Sequence, residues 1–214
     1  MHSAPQKSKL QRKRGFTMIE LIVTISIFTM VTSVVLANYP KFSSRIVLEN
    51  VAHQIALTVR EAQTYGLSVR GFDNSGTTVF PGYGVYFPAP GVGSKTFTLF
   101  ADPNDDQRYD LSVCRSTGSE CLQESTIRSA EHIYLLCGNL KTTGGTIENP
   151  GAADCSLSSL HVGFRRPDPD ANIVGYSETD GDYRAFSDAE VVVISPRGDM
   201  KTIVIWTTGQ ISVE

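Results

Sequence analysis

The stretch that decides the fold is RKRGFTMIELIVTISIFTMVTSVVLA, residues 12–37: a basic patch, a glycine, then a long apolar run. Between Phe16 and Tyr39 the only charge is Glu20. As a helix this segment would reach about 36 Å, at 1.5 Å per residue. A bilayer's hydrocarbon core is about 30 Å thick, so the length suits a membrane span. A carboxylate near the centre of a bilayer costs about 2.5–3.5 kcal/mol on insertion scales. The position of Glu20 therefore needs a reason.

Two ordinary readings compete. A buried core helix of this length fits poorly in a chain of 214 residues. A secretory signal peptide would use the basic patch as its leading region and Val35-Leu36-Ala37 as a cleavage site. Such a peptide has no use for Glu20.

GFTMIEL resembles the class III signal of type IV pilins and type II secretion pseudopilins. That signal is a short basic leader, a glycine, and a Phe-led hydrophobic stretch with Glu at its fifth position. The resemblance covers residues 7–39. It implies that a membrane-embedded prepilin peptidase cuts between Gly15 and Phe16 and methylates the new amine of Phe16. It also implies that Glu20 is the assembly carboxylate. A neighbour's Glu20, or the chain's own, can pair with the Phe16 amine, so its charge is costly only while unpartnered. The implied partners are other pilin or pseudopilin subunits, the prepilin peptidase and an inner-membrane assembly platform. The implied location is the bacterial inner membrane, crossed once with the C-terminal domain outside the cytoplasm, and then the filament.

Charge supports the topology. Of 19 basic residues, Lys7, Lys9, Arg12, Lys13 and Arg14 lie in residues 1–15, which hold no acid. The remaining 14 face 22 acidic residues, a balance of −8. A body that acidic is a poor match for nucleic acid, whose binding rests on Lys and Arg at phosphates. The basic tip reads as a positive-inside signal. A hydrophobic content of 41% and a charged content of 19% are globular values.

Pro40 predicts a bend or a loosened turn near residues 36–40. Beyond it, Leu48, Val51, Ala52, Ile55, Val59 and Ala62 recur at helical spacing, while Glu49, His53, Arg60 and Glu61 take other faces. The pattern is an amphipathic helix that ends at Gly66 or shortly after. One helix over 16–66 would span about 75 Å. His53 reads as a solvated helix residue.

From residue 72 the periodicity changes. Runs at 83–87, 96–101, 131–137, 160–166, 189–195 and 201–207, then QISVE, are β-prone and bounded by turn residues. SPRGD and TGQ read as hairpin links. The expected fold is α+β, a long N-terminal helix packed on an antiparallel sheet domain. The divisions are a leader at 1–15, a transmembrane helix at 16–39, its amphipathic continuation at 40–70 and a β-rich domain at 71–214. REAQTYGLSVRG, TLFADPNDDQRYD and GDMKTIVIWTTGQISVE add a further resemblance, to the GspH/FimT-type minor pseudopilins and minor pilins. The resembling family implies a "lollipop" shape.

Cys114, Cys121, Cys137 and Cys155 all fall in the β-rich part. An even count outside the cytoplasm suits two disulfides, with three connectivities open. Cys114–Cys121 with Cys137–Cys155 closes the shortest loops. Zinc is disfavoured, because no CxxC occurs and His2, His53, His132 and His161 are scattered. Asp102, Asn104, Asp106 and Asp110 occupy positions one, three, five and nine of a calcium-type loop. Gln107 and Val113 depart from that pattern at the glycine and glutamate positions, and a solvated acidic turn is the plainer reading. The cluster of Asp168, Asp170 and Glu178 through Asp182 is weaker still. Trp206, Tyr83 and Phe87 read as core.

No GxSxG, HExxH or phosphate-cradling glycine loop is present, so the expectation is a structural subunit without catalytic residues or cofactor. The alternative is a secreted or membrane-anchored β-domain that binds a ligand and never polymerises.

Overall fold

The computed structural model describes residues 15–110, 114, 118–140 and 153–214. The rest of the basic leader, Val113 and most of the GTIENPGAADC loop lie outside the described residues. Helix α1 runs Met18–Leu67. The backbone stays helical through residues 36–40, where a loosened turn was the expectation. Proline removes one bond from the ladder, and α1 continues past that loss.

The chain divides into two compact units that meet between Ser43 and Ser44. In the first, the apolar side chains of α1 are exposed, Met18 at 81% and Phe28 at 71%, as is Phe16 just before it. Four hydroxyl side chains on this stretch are satisfied within the helix. Thr24, Ser26, Thr29 and Ser33 each donate a hydroxyl hydrogen bond to a carbonyl three or four residues back, at 2.7–3.0 Å. Such back-bonding is what hydrocarbon surroundings demand, since no water is available to take the donor.

In the second unit α1 buries one stripe: Leu48, Val51, Ala52, Ile55, Ala56, Val59 and Ala62. This is the stripe that the 3.6-residue spacing indicates, with Ala56 added. The remaining elements are strands β1 (Phe72–Asn74), β2 (Thr77–Val79), β3 (Gly82–Phe87), β4 (Thr96–Asp102), β5 (Cys121–Thr126) and β6 (His132–Cys137). They continue with β7 (Leu157–Arg165), β8 (Asp168–Ser177), β9 (Asp182–Ala185), β10 (Asp188–Ile194), β11 (Met200–Trp206) and β12 (Ile211–Val213).

A six-stranded sheet has the order β5-β4-β3-β7-β8-β9, a four-stranded sheet the order β12-β11-β10-β6, and β1-β2 form a hairpin. All pairings are antiparallel. One apolar core joins the α1 stripe to Val85, Phe87, Leu160 and Val162 of the larger sheet and to Val191, Val193, Ile203 and Ile205 of the smaller. The helix end is fitted closely to the sheet. A Cβ on Gly66 would lie 2.3 Å from the Phe164 carbonyl oxygen, so glycine is what permits the approach. The SPRGD link is a turn in which Gly198 takes a positive φ of 87° and Ser195 donates its amide to Asp199.

One expectation changes: Trp206 is only half-buried, whereas Tyr83 and Phe87 are core. Asp168 and Asp170 lie at the exposed start of β8, ahead of an alternating buried pattern.

Candidate functional site

Gly15 stands in open space, with nothing within 4 Å of where a Cβ would lie. Phe16 follows it, exposed, and α1 begins two residues later. Thr17 is the N-cap. Its hydroxyl accepts the Glu20 amide at 3.2 Å, while Glu20 Oε2 accepts the Thr17 amide at 3.4 Å. This reciprocal pair is a capping box, which satisfies two amides that the helix start leaves unpaired. The carboxylate also lies at the positive end of the helix dipole. Thr17 is the residue that a reading focused on Gly15, Phe16 and Glu20 passes over. Its signal is present as Thr17-x-x-Glu20.

The helix that follows is long and apolar enough to cross a membrane, and it is the only such helix among the described residues. Residues 10–36 match the family model of the prokaryotic N-terminal methylation motif. No curated protein and no solved structure matches the chain. The methylation motif therefore identifies the N-terminal segment as prepilin-like, of the type IV pilin kind, and a membrane anchor. It is the type of segment that prepilin peptidase processes. The pilin-type motif points to a structural subunit, not an enzyme.

The loop after β4 is the second region the sequence singles out. Asp102 is buried, and its two oxygens accept the amides of Asp106 at 3.2 Å and Gln107 at 3.0 Å. Asn104 donates its side-chain amide to Asp110 at 3.1 Å, and Asp106 accepts the Arg108 amide at 2.9 Å. These oxygens tie the loop to itself. Among the described residues no group of three or more Asp, Glu, His or Cys is placed to hold a metal ion. The Asp102, Asn104, Asp106 and Asp110 set is thus not gathered as a ligand cradle. Asp102 is also not a solvated turn residue, and burial raises its pKa.

Two titratable groups next to this loop were not singled out by pattern. Glu120 is buried and accepts the Asp110 amide at 2.8 Å. Burial, helped by repulsion from Asp110, Asp102 and Asp106 and opposed by the Asp110 amide, pushes its carboxyl up to about 7. His161, on β7, accepts the Tyr109 amide at Nδ1, 3.0 Å away. Its ring lies among Tyr86, Phe100 and Tyr183, at centroid distances of 4.8, 6.4 and 6.0 Å. Burial, with the charge of Arg108 adding to it, pushes His161 down to about 4, so it is neutral at physiological pH.

The structure joins Cys114 to Cys121 and Cys137 to Cys155. The first bond clips the loop after β4 to the start of β5. The second fastens the end of β6 to the segment entering β7. His53 is exposed on α1 and lies 3.9 Å from Glu49.

Proposed function

We propose that this chain is a structural subunit of a filament assembled from the inner membrane, a minor pseudopilin or minor pilin of the GspH/FimT type. The observation that carries the proposal is the methylation motif over residues 10–36, continuous with an apolar helix whose side chains are exposed. On this reading residues 1–15 are a leader, cut by prepilin peptidase between Gly15 and Phe16, and Phe16 bears the methylated amine. Residues 16–39 lie in the membrane and then at the filament axis, residues 40–70 continue the helix, and residues 71–214 form the domain outside the cytoplasm. Other subunits and the assembly platform are the partners.

Glu20 drives docking. Among the described residues its carboxylate is held by Thr17 alone, through weak, long hydrogen bonds of 3.4 and 3.5 Å. A neighbouring Phe16 ammonium offers a charge-assisted partner instead, a stronger class of bond. The gain is available only on assembly.

N-terminal sequencing of the mature protein tests the cut. A methylated Phe16 is the expected terminus, and a terminus at Asn38 would overturn the proposal in favour of an ordinary signal peptide. Glu20→Gln tests the assembly role. Cleavage should continue, and the ratio of membrane-pool to sheared-filament protein should rise. An unchanged ratio would mean that Glu20 does not drive docking.

A further inference from the structure

The outer face of the six-stranded sheet carries a groove of about 500 Å³. That lies within the roughly 300–1,000 Å³ of small-molecule sites. Its floor is backbone. Gly84 pairs with Gly163 across β3 and β7, and Gly163 pairs with Asn172 across β7 and β8. At Gly84 the ring of Phe100 already occupies the place of a side chain, 2.7 Å from where a Cβ would be. At Gly163 the space is open, since a Cβ there would meet only the Asn172 carbonyl oxygen, at 3.9 Å. A flat ligand can therefore lie against the peptide planes at Gly163.

The walls are polar and mixed in charge. Arg165 is ion-paired with Asp105 from the loop after β4, and that loop is held in place by the buried Asp102. The side chains of Gln107, Asp170 and Asn172 line the groove without a hydrogen bond to any described residue. An apolar ligand would strand these groups without water. An anion would meet more carboxylates than guanidiniums. A ligand that offers hydroxyl donors and acceptors together, with an apolar ring face for the glycine floor, satisfies both features. We propose that this groove binds a neutral, hydroxyl-rich ligand, a saccharide. The proposal stands apart from filament assembly, because every residue it uses lies in the β-rich domain.

The test is amide NMR on the full mature protein in detergent micelles, titrated with cellobiose, maltose and chitobiose. At least one disaccharide should shift the amides of Gly163 and Asn172. The Gly163 backbone is not in the left-handed region, so Gly163→Leu fills the groove without backbone strain. That variant should keep its melting temperature and lose at least about tenfold in affinity. Asn172→Ala, at a partly exposed position, should weaken binding and serves as the independent check should the leucine variant fold poorly. No response to any of the three sugars, a stronger response to spermidine than to all of them, or undiminished binding by Asn172→Ala would each overturn the proposal.

Discussion

Thr17 and Glu20 hold each other across the first turn of α1, amide to carboxylate and amide to hydroxyl, at 3.4 and 3.2 Å. The carboxylate that makes the apolar stretch unusual is therefore also part of the helix's own start signal. On the proposed assembly the two roles compete: Glu20 cannot be fully given to a neighbour's ammonium while it closes the box with Thr17.

Thr17→Ala removes the hydroxyl and leaves the Glu20 amide unpaired. An N-cap is worth about 1 kcal/mol, or about fivefold in local opening. Amide exchange at Glu20 in micelle-bound protein should quicken by about that factor, and Thr17→Ser should restore it. Equal exchange in the alanine variant would show that the cap contributes nothing.

Glu120 and His161 titrate against each other in the folding equilibrium. Glu120 has a folded pKa of about 7, above its ordinary 4.5, so the folded state holds the proton more tightly and stability falls as pH rises through that interval. His161 has a folded pKa of about 4, below its ordinary 6.5, so stability falls as pH drops from 6.5 towards 4. Between about pH 4.5 and 6.5 the two slopes oppose. Glu120→Gln should expose the histidine slope, leaving a protein that loses stability on acidification through that window. It should also be stabler above pH 7, by at most about 3 kcal/mol. Chemical denaturation at a series of pH values reads both effects, and parallel profiles for wild type and variant would refute them.

Gly66→Ala should destabilise the fold although alanine is the better helix former by about 1 kcal/mol. The new methyl would press on the Phe164 carbonyl. Overpacking of this kind costs about 1–3 kcal/mol, or several degrees in melting temperature for a domain of this size. A raised melting temperature would mean that the helix end can move away from β7.

Cys155→Ser should cost about 2–5 kcal/mol, the usual loss for a native disulfide in a small domain. Peptide mapping without reduction should show Cys137 linked to Cys155 and Cys114 to Cys121. Thermal unfolding of the serine variant then gives the size of the effect.

Much of this architecture could be read in the chain because long, strongly periodic segments carry their own signal. The buried stripe of α1 and strands β3, β4, β6, β7, β10 and β11 all coincide with apolar runs bounded by turn residues. Strand β8 was illegible for a physical reason. Two of its inward positions are Gly175 and Ser177, so it lacks apolar alternation, and the glycine makes room for the ring of Phe186. Strand β5 was hidden likewise: a register shift interrupts its alternation, its two buried places are taken by Cys121 and Ser125, and Leu122 is its one large apolar side chain against the main core. Trp206 misled because an aromatic at the end of a strand can lie half in solvent. At the N-terminus the methylation motif, the apolar helix and the Thr17-x-x-Glu20 cap are all legible in the sequence. The groove over Gly163 could not be foreseen, since it depends on which residues face each other across three strands.

The inward-turned hydroxyls of Thr24, Ser26, Thr29 and Ser33 have one more effect. A side chain that spends its proton on its own backbone has none left to aim sideways. These four positions therefore give a neighbouring flank apolar contact without a donor, a surface along which turning and sliding cost little. On the proposed assembly, the pitch of packed helices then falls to polar groups elsewhere, Glu20 at the tip first among them.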